Sequence, residues 1–392
     1  MLTGPRATGK TTTARQLAAD VVQLDQPAQA AAFRADPDAA LRRFAEPVLL
    51  DVWQEVPAVL GAVKRAVDAD SRPGRFLLTG SLRADLEQQT WPATGRVIRM
   101  QMYGLTEREI AGRINQAQSS FLDRAETADP ESFVLPDVVP DLPAYIDLAL
   151  RSGFPEVAYP HRSESARRTW LDSYLDQLLT RDAASLDHAR DPVRLRRYFE
   201  SLALNTAGLA RDKVVYDAAG INAKTAAAYD QLLMNLFVLE QVPAWSTNRL
   251  HRLIKTPKRY IVDAGLVGSG AGLNARAVLA DGDLFGRLID TFVLMQLRAE
   301  AAVSADISRF HHFRTELGRQ EVDLIVERGA GRFIGIEIKA GVAPDLHDAR
   351  HLVWLRDEMP DSFLAGVVLH TGPGVYQLSE RILAVPICAL WG

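Results

Sequence analysis

The 392 residues include one cysteine, Cys388. The chain therefore forms no internal disulfide and no thiolate metal cluster, and Cys388 reads as a small apolar residue near the C-terminus. No apolar stretch reaches the roughly 18 residues that a membrane helix needs. The N-terminal MLTGPRATGKTTTARQL has no apolar signal core. The sequence thus predicts a cytoplasmic protein that is neither exported nor embedded, with no membrane partner. Excess charge of one sign is also missing, because 45 Lys+Arg against 49 Asp+Glu leave a formal net charge of −4. No global field draws the molecule onto nucleic acid, so any such site must be a local basic patch. Internal repeats are absent, and low complexity is confined to Ala-rich helical stretches. What is present is ordinary globular usage, 47% hydrophobic and 24% charged, which excludes a disordered or fibrous chain. The length predicts two to four domains.

Residues 1–112 alternate short apolar runs, Val21–Leu24, Pro47–Asp51, Arg75–Thr79 and Val97–Gln101, with amphipathic stretches such as Pro57–Asp68. That pattern predicts an α/β domain with a parallel sheet and helices on both faces. Residues 113–205 read as a helical linker or lid region, with helices at Glu164–Thr180 and Pro192–Asn205. Residues 206–270 hold two helices broken at Gly220, then an apolar strand and a second strand at Arg259–Val262. This predicts a winged helix-turn-helix with Asn222 as the N-cap of its second helix. Residues 280–392 predict a second α/β core: helix Leu284–Ala301, strands Glu321–Glu327 and Arg332–Lys339, helix His347–Glu358 and strand Leu364–His370. The whole is a multidomain α/β chain.

Gly4-Pro5-Arg6-Ala7-Thr8-Gly9-Lys10-Thr11 matches G-x-x-x-x-G-K-[ST] without a mismatch. Such a loop curls its backbone N–H groups around a β-phosphate, Lys10 reaches the β/γ-phosphates, and Thr11 can ligate Mg²⁺ where a helix begins, with Thr12 next in line. Asp51 ends an apolar strand in the carboxylate that can hold Mg²⁺ through water, and Thr79 ends another where a γ-phosphate sensor is expected. ATP and Mg²⁺ are the implied cofactors. Only Met1-Leu2-Thr3 precede Gly4, fewer than the roughly 5 residues of a usual strand, so the first strand reads as truncated, leaving room for a start upstream of Met1. After Asp51, where a glutamate would orient the attacking water, stands Val52, predicted to lie on the strand and point toward the γ-phosphate. Hydrolysis is therefore expected to be weak, with Glu55 or Gln54 as the alternative for that role. Arg96 reads as a surface or ion-pair arginine more than as an arginine finger.

A second constellation lies near the C-terminus. Asp323 is 14 residues before Glu337, and Lys339 follows two residues later, so Glu337 and Lys339 leave the same face of a strand. A hairpin can bring Asp323 beside them, and Asp290 lies on the preceding helix. Two carboxylates and a lysine suit Mg²⁺-assisted phosphodiester hydrolysis, with Asp323 and Glu337 as metal ligands. A charged strand end with solvated side chains is the alternative. Between the two sites, Arg249, Arg252, Lys255, Lys258 and Arg259 accumulate with no acid among them, which predicts a basic wing that contacts DNA phosphates or a solvated charged loop. The second helix offers Lys224 and Thr225 but then three alanines, a poor surface for reading base edges.

Taken together, GPRATGKTTTA, the LLD and LLTGS strand ends, GLTEREI, the winged-helix stretch and the closing EVDLIV, IEIK, GVVLHTG and VPICALW resemble one family over nearly the whole chain. It is the set of bacterial and archaeal AAA-type P-loop ATPases fused to a C-terminal domain of unknown function with a restriction-endonuclease-like (PD-(D/E)xK) core. The resemblance implies ATP binding at Gly4, Gly9, Lys10, Thr11 and Asp51, and a nuclease-like site at Asp323, Glu337 and Lys339. In that family a glutamate commonly stands where Asp290 does. The expectation is an ATP-binding protein coupled to a nuclease-like domain acting on or near DNA. The alternative is a non-catalytic nucleotide-bound switch, DNA-binding regulator or adaptor.

Overall fold

Strands buried on both faces of a parallel sheet carry continuous apolar runs, and Val48-Leu49-Leu50 is such a run, each residue at most 1% exposed. In a computed structural model, the residues described are 1–81, 95–113, 119–159, 162–186, 191–208, 212–246, 256–315, 319–329 and 331–392. They form two units, Met1–Tyr103 with Gln231–Val238, and Gly104–Asp230 with Leu239–Gly392.

In the first unit, β1 (Leu2–Thr3), β2 (Asp20–Gln23), β3 (Val48–Asp51), β4 (Phe76–Thr79) and β5 (Met100–Gln101) lie in the order β2-β3-β4-β1-β5. Every pairing is parallel. Register places Gln23, Asp51 and Thr79 side by side at the strand ends. Helices Pro27–Ala35 and Val59–Ala69 bury Phe33, Val59, Leu60 and Val63 against Val22, Leu50 and Leu78. β1 is short but paired on both edges: the N–H of Gly80 donates to Leu2 on one side, and that of Met102 to Thr3 on the other. The first helix, Lys10–Arg15, follows the phosphate loop directly.

In the second unit, helices Leu142–Arg151, Glu164–Gln177 and Pro192–Leu204 start at Asp141, Ser163 and Asp191, whose side chains each accept from a backbone N–H in the first turn. Leu178–Asp182 is a π-helical turn, so the regular helix stops at Gln177 rather than at Thr180. Asp212–Ala218 follows, then Ala223–Asn235, whose residues from Gln231 on belong to the first unit, and the N–H of Thr225 donates to the Asn222 side chain at 2.9 Å. Then β6 (Leu239–Val242) pairs antiparallel with β7 (Lys258–Ile261).

The helix Gly282–Val303 leads into β8 (Arg309–Arg314), β9 (Glu321–Glu327), β10 (Phe333–Ile338), β11 (Phe363–His370), β12 (Tyr376–Ser379) and β13 (Ile382–Pro386). These form a mixed sheet in the order β12-β13-β11-β10-β9-β8. β10 runs parallel to β11, and β11 to β13, while β9 is antiparallel to β10. Strands β8, β12 and β13 are additions to the sequence reading. The helix Arg350–Glu358 makes the crossover from β10 to β11 and packs Leu352 and Leu355 beneath Phe333 and Phe363. Gly335 permits that close packing, since a Cβ there would come within 2.6 Å of Leu352 Cδ2. Among the described residues no helix is long and apolar enough to cross a membrane.

Candidate functional site

The phosphate loop is held tightly by its own backbone. Gly4 has φ +140°, and a Cβ there would lie 2.1 Å from the Met102 carbonyl oxygen, so only glycine fits. Gly9, at φ +89°, precedes the helix Lys10–Arg15. Thr8 donates to the Pro5 carbonyl at 2.9 Å. The Lys10 ammonium turns inward, donating to the carbonyls of Gly4, at 3.1 Å, and Pro5. Burial, then the nearby Arg6, lowers the Lys10 pKa to about 8. Its partners there are neutral dipoles, which a phosphate would outcompete. Arg6, Ala7 and Thr12 are exposed.

Beneath the loop the Thr11 hydroxyl donates to Asp51 Oδ1 at 2.8 Å, and the Thr79 hydroxyl donates to the same oxygen. Asp51 is 5% exposed and Thr79 2%. Strand register explains the meeting, because Asp51 and Thr79 are direct neighbours across β3 and β4. Thr11 and Asp51 together offer the hard oxygens that Mg²⁺ takes.

Val52 departs from the sequence expectation. The strand ends at Asp51, and Val52 has φ +54° and ψ +45°, leading into the 3₁₀ turn Trp53–Glu55. A strand therefore does not aim position 52, and a β-branched residue in the left-handed region is strained. Glu55 is exposed, and its carbonyl accepts from Arg34. Gln54, the other candidate for orienting the attacking water, lies in the same turn. Its buried Oε1 has no hydrogen-bond partner among the described residues. It also lies beside the end of β4, since a Cβ on Gly80 would meet it at 3.1 Å. Arg96 pairs with Asp68 at 2.8 Å, as an ion-pair arginine does.

The second cluster gathers Asp290, Asp323, Glu337 and Lys339. Leu324 opposes Ile336 across β9 and β10, which makes Asp323 and Glu337 neighbours. Lys339 donates to Glu337 Oε2 at 2.9 Å, and the N–H of Ile338 donates to Asp323 Oδ2 at 3.0 Å. Two further residues join from β7. Lys258 Nζ lies 3.4 Å from Asp323 Oδ1 and 3.9 Å from Asp290 Oδ2, and the Tyr260 hydroxyl donates to Asp290 Oδ1 at 3.1 Å. Lys258 and Tyr260 alternate along the strand and so share a face.

Charge sets the protonation states. Burial, then the Asp323 charge, pushes Glu337 up to about 8, so at neutral pH it holds a proton. A hydrogen bond with Asp323 adds to that rise. Burial also raises Asp290, against the pull of Lys258. Burial opposes ionisation of Asp323 too, but Lys258 and Lys339 hold it below the usual carboxylate range.

The basic-wing expectation is corrected at two positions. Lys258 is 2% exposed and faces carboxylates, and Arg259 pairs with Asp230 at 2.9 Å and with Asp212 at 2.6 Å. Neither presents its charge to a phosphate, because acids distant in sequence fold against both faces of β7. Arg249, Arg252 and Lys255 lie outside the described residues. The expectation that Asp323 and Glu337 hold Mg²⁺ meets a similar obstacle. Among the described residues no group of three or more His, Cys, Asp or Glu is placed to hold a metal ion. Lys258 stands between the Asp323 and Asp290 carboxylates, so this arrangement does not fit a divalent cation.

Comparison with known proteins matches these regions separately. Residues 1–111 match an AAA domain. Residues 142–277 match a domain of unknown function (DUF8612), and residues 285–390 match another (DUF4143). The chain is thus similar to AAA-type ATP-binding proteins at its N-terminus, joined to regions similar to domains of unknown function. The AAA match spans the phosphate loop, Asp51 and Thr79. The carboxylates fall in the last match, whereas Lys258 and Tyr260 fall in the middle one. Two relatives, the uncharacterized proteins Mb2031c of Mycobacterium bovis and Rv2008c of Mycobacterium tuberculosis, are each 29% identical, over 98% of this chain and 79% of the relative.

Proposed function

We propose that the protein binds ATP as an AAA-type P-loop protein, hydrolyses it weakly, and uses the bound nucleotide to switch a C-terminal domain with a nuclease-like frame. The convergence of Thr11 and Thr79 on Asp51 under a glycine loop carries this reading. On binding, Lys10 exchanges the carbonyls of Gly4 and Pro5 for the β/γ-phosphates, and the loop N–H groups take the phosphate oxygens. Thr11 and Asp51 would hold Mg²⁺, which neutralises phosphate charge when bound. Val52 offers no proton acceptor, so turnover is slow.

The nuclease-like frame rests on the order helix Gly282–Val303, β9, β10, helix Arg350–Glu358, β11, with Asp323, Glu337 and Lys339 at one strand end. Helices Asp212–Ala218 and Ala223–Asn235 with the β6–β7 hairpin read as a winged helix, and DNA is its candidate partner. The position of Lys258 favours the second reading, in which this domain is a regulator or adaptor rather than a nuclease. Incubating the protein with ATP, Mg²⁺ or Mn²⁺ and several forms of DNA tests both readings. The expected result is bound nucleotide, phosphate release barely above that of Lys10→Ala, and no strand scission. Scission that is lost in Asp323→Ala would restore the nuclease reading, and absence of bound nucleotide would remove the first.

A further inference from the structure

Lys258 is a charged side chain placed where a solvated basic residue would not be. It is 2% exposed, on a strand of the β6–β7 hairpin, and its two nearest anions come from the helix Gly282–Val303 and from β9. Burying an ammonium is costly unless anions compensate it, and Asp323 and Asp290 do so, holding Lys258 charged against its burial. The ammonium lies nearest Asp323 Oδ1 and Asp290 Oδ2. Their partner oxygens are already taken by the Ile338 N–H and the Tyr260 hydroxyl. A divalent ion needs oxygens within about 2.0–2.6 Å and would share those ligands with a like charge, which repels it in a buried site.

We propose that Lys258 is the resident cation of this cluster and that it excludes divalent metal ions: a metal can enter only if the lysine is removed. The inference concerns the second unit alone and stands whether or not ATP is bound or hydrolysed.

Nucleotide-free full-length protein is titrated with Mn²⁺, reading free Mn²⁺ by electron paramagnetic resonance. The wild type and Lys258→Arg should bind none at this cluster. Lys258→Met should gain roughly one Mn²⁺ per chain, lost again in Lys258→Met/Asp323→Asn. Binding by the wild type that disappears in Asp323→Asn overturns the proposal, as does folded Lys258→Met that gains none. Should Lys258→Met not fold, acetylation of wild-type lysines followed by mass spectrometry decides. Lys258 should stay unmodified with and without Mn²⁺ while Lys213, whose side chain is 75% exposed, reacts. Lys258 reacting as fast as Lys213, or becoming reactive when Mn²⁺ is added, overturns it.

Discussion

The Thr11 hydroxyl donates to Asp51 at 2.8 Å, linking the end of the phosphate loop to the end of β3 across 40 residues of chain. The bond needs an oxygen at position 11. Thr11→Ser should keep Mg²⁺-dependent ATP affinity within about threefold, and Thr11→Val should lower it about tenfold or more, since the isosteric side chain cannot donate or ligate. Equal affinities in calorimetric titration would detach Thr11 from the nucleotide.

Val52 is held at φ +54°, a conformation that costs a β-branched residue about 1–2 kcal/mol. Val52→Gly relieves that strain and loses some side-chain burial, so urea unfolding should show a change between neutral and about 1 kcal/mol more stable. A loss above about 1 kcal/mol would show that the side chain outweighs the backbone.

Whatever turnover the protein has should depend on Gln54, whose Oε1, without a partner among the described residues, lies beside Gly80 at the end of β4. A glutamine amide can orient an attacking water. Gln54→Ala should reduce phosphate release to the level of Lys10→Ala while leaving ATP affinity unchanged. Release unaffected by Gln54→Ala but lost in Glu55→Ala would assign the role to Glu55 instead.

The legible parts of the molecule were those written in contiguous residues. The run Val48-Leu49-Leu50 announces a buried parallel strand, and the phosphate-loop pattern names Lys10 and Thr11 outright. The pairing of Glu337 and Lys339 follows from a spacing of two on a strand. Lys258 was illegible because Lys-Thr-Pro-Lys-Arg reads locally as a basic surface, while the acids that bury it are 32 and 65 residues away. Strand β8 has no local signal because Arg-Phe-His-His-Phe-Arg carries no Val or Ile, its half-buried faces being set by the neighbouring strand. The left-handed turn at Val52 also has no local signal, since a valine after an apolar run reads as more strand.

Glu337 gives stability a pH dependence with a definite sign. Its ordinary value is 4.5 and in the fold it is raised to about 8, so the folded state holds a proton that the unfolded state releases between those limits. The stability linked to this group is full below about 4.5 and is lost as the pH rises toward 8. Glu337→Gln cannot ionise and should fall less in melting temperature between about pH 5 and 8 than the wild type. Parallel curves would mean that Glu337 is already ionised at neutral pH.

The central claim is that the phosphate loop holds ATP, and the most direct measurement is the affinity of the full-length protein for a fluorescent ATP analogue with Mg²⁺, compared with Lys10→Ala. Lys10 is the ammonium that the loop keeps folded against Gly4 and Pro5. The account predicts near-stoichiometric saturable binding by the wild type, weakened about tenfold or more in Lys10→Ala, because a charge-assisted bond to phosphate is lost. Binding of the same strength in both proteins, or none in the wild type, would contradict it.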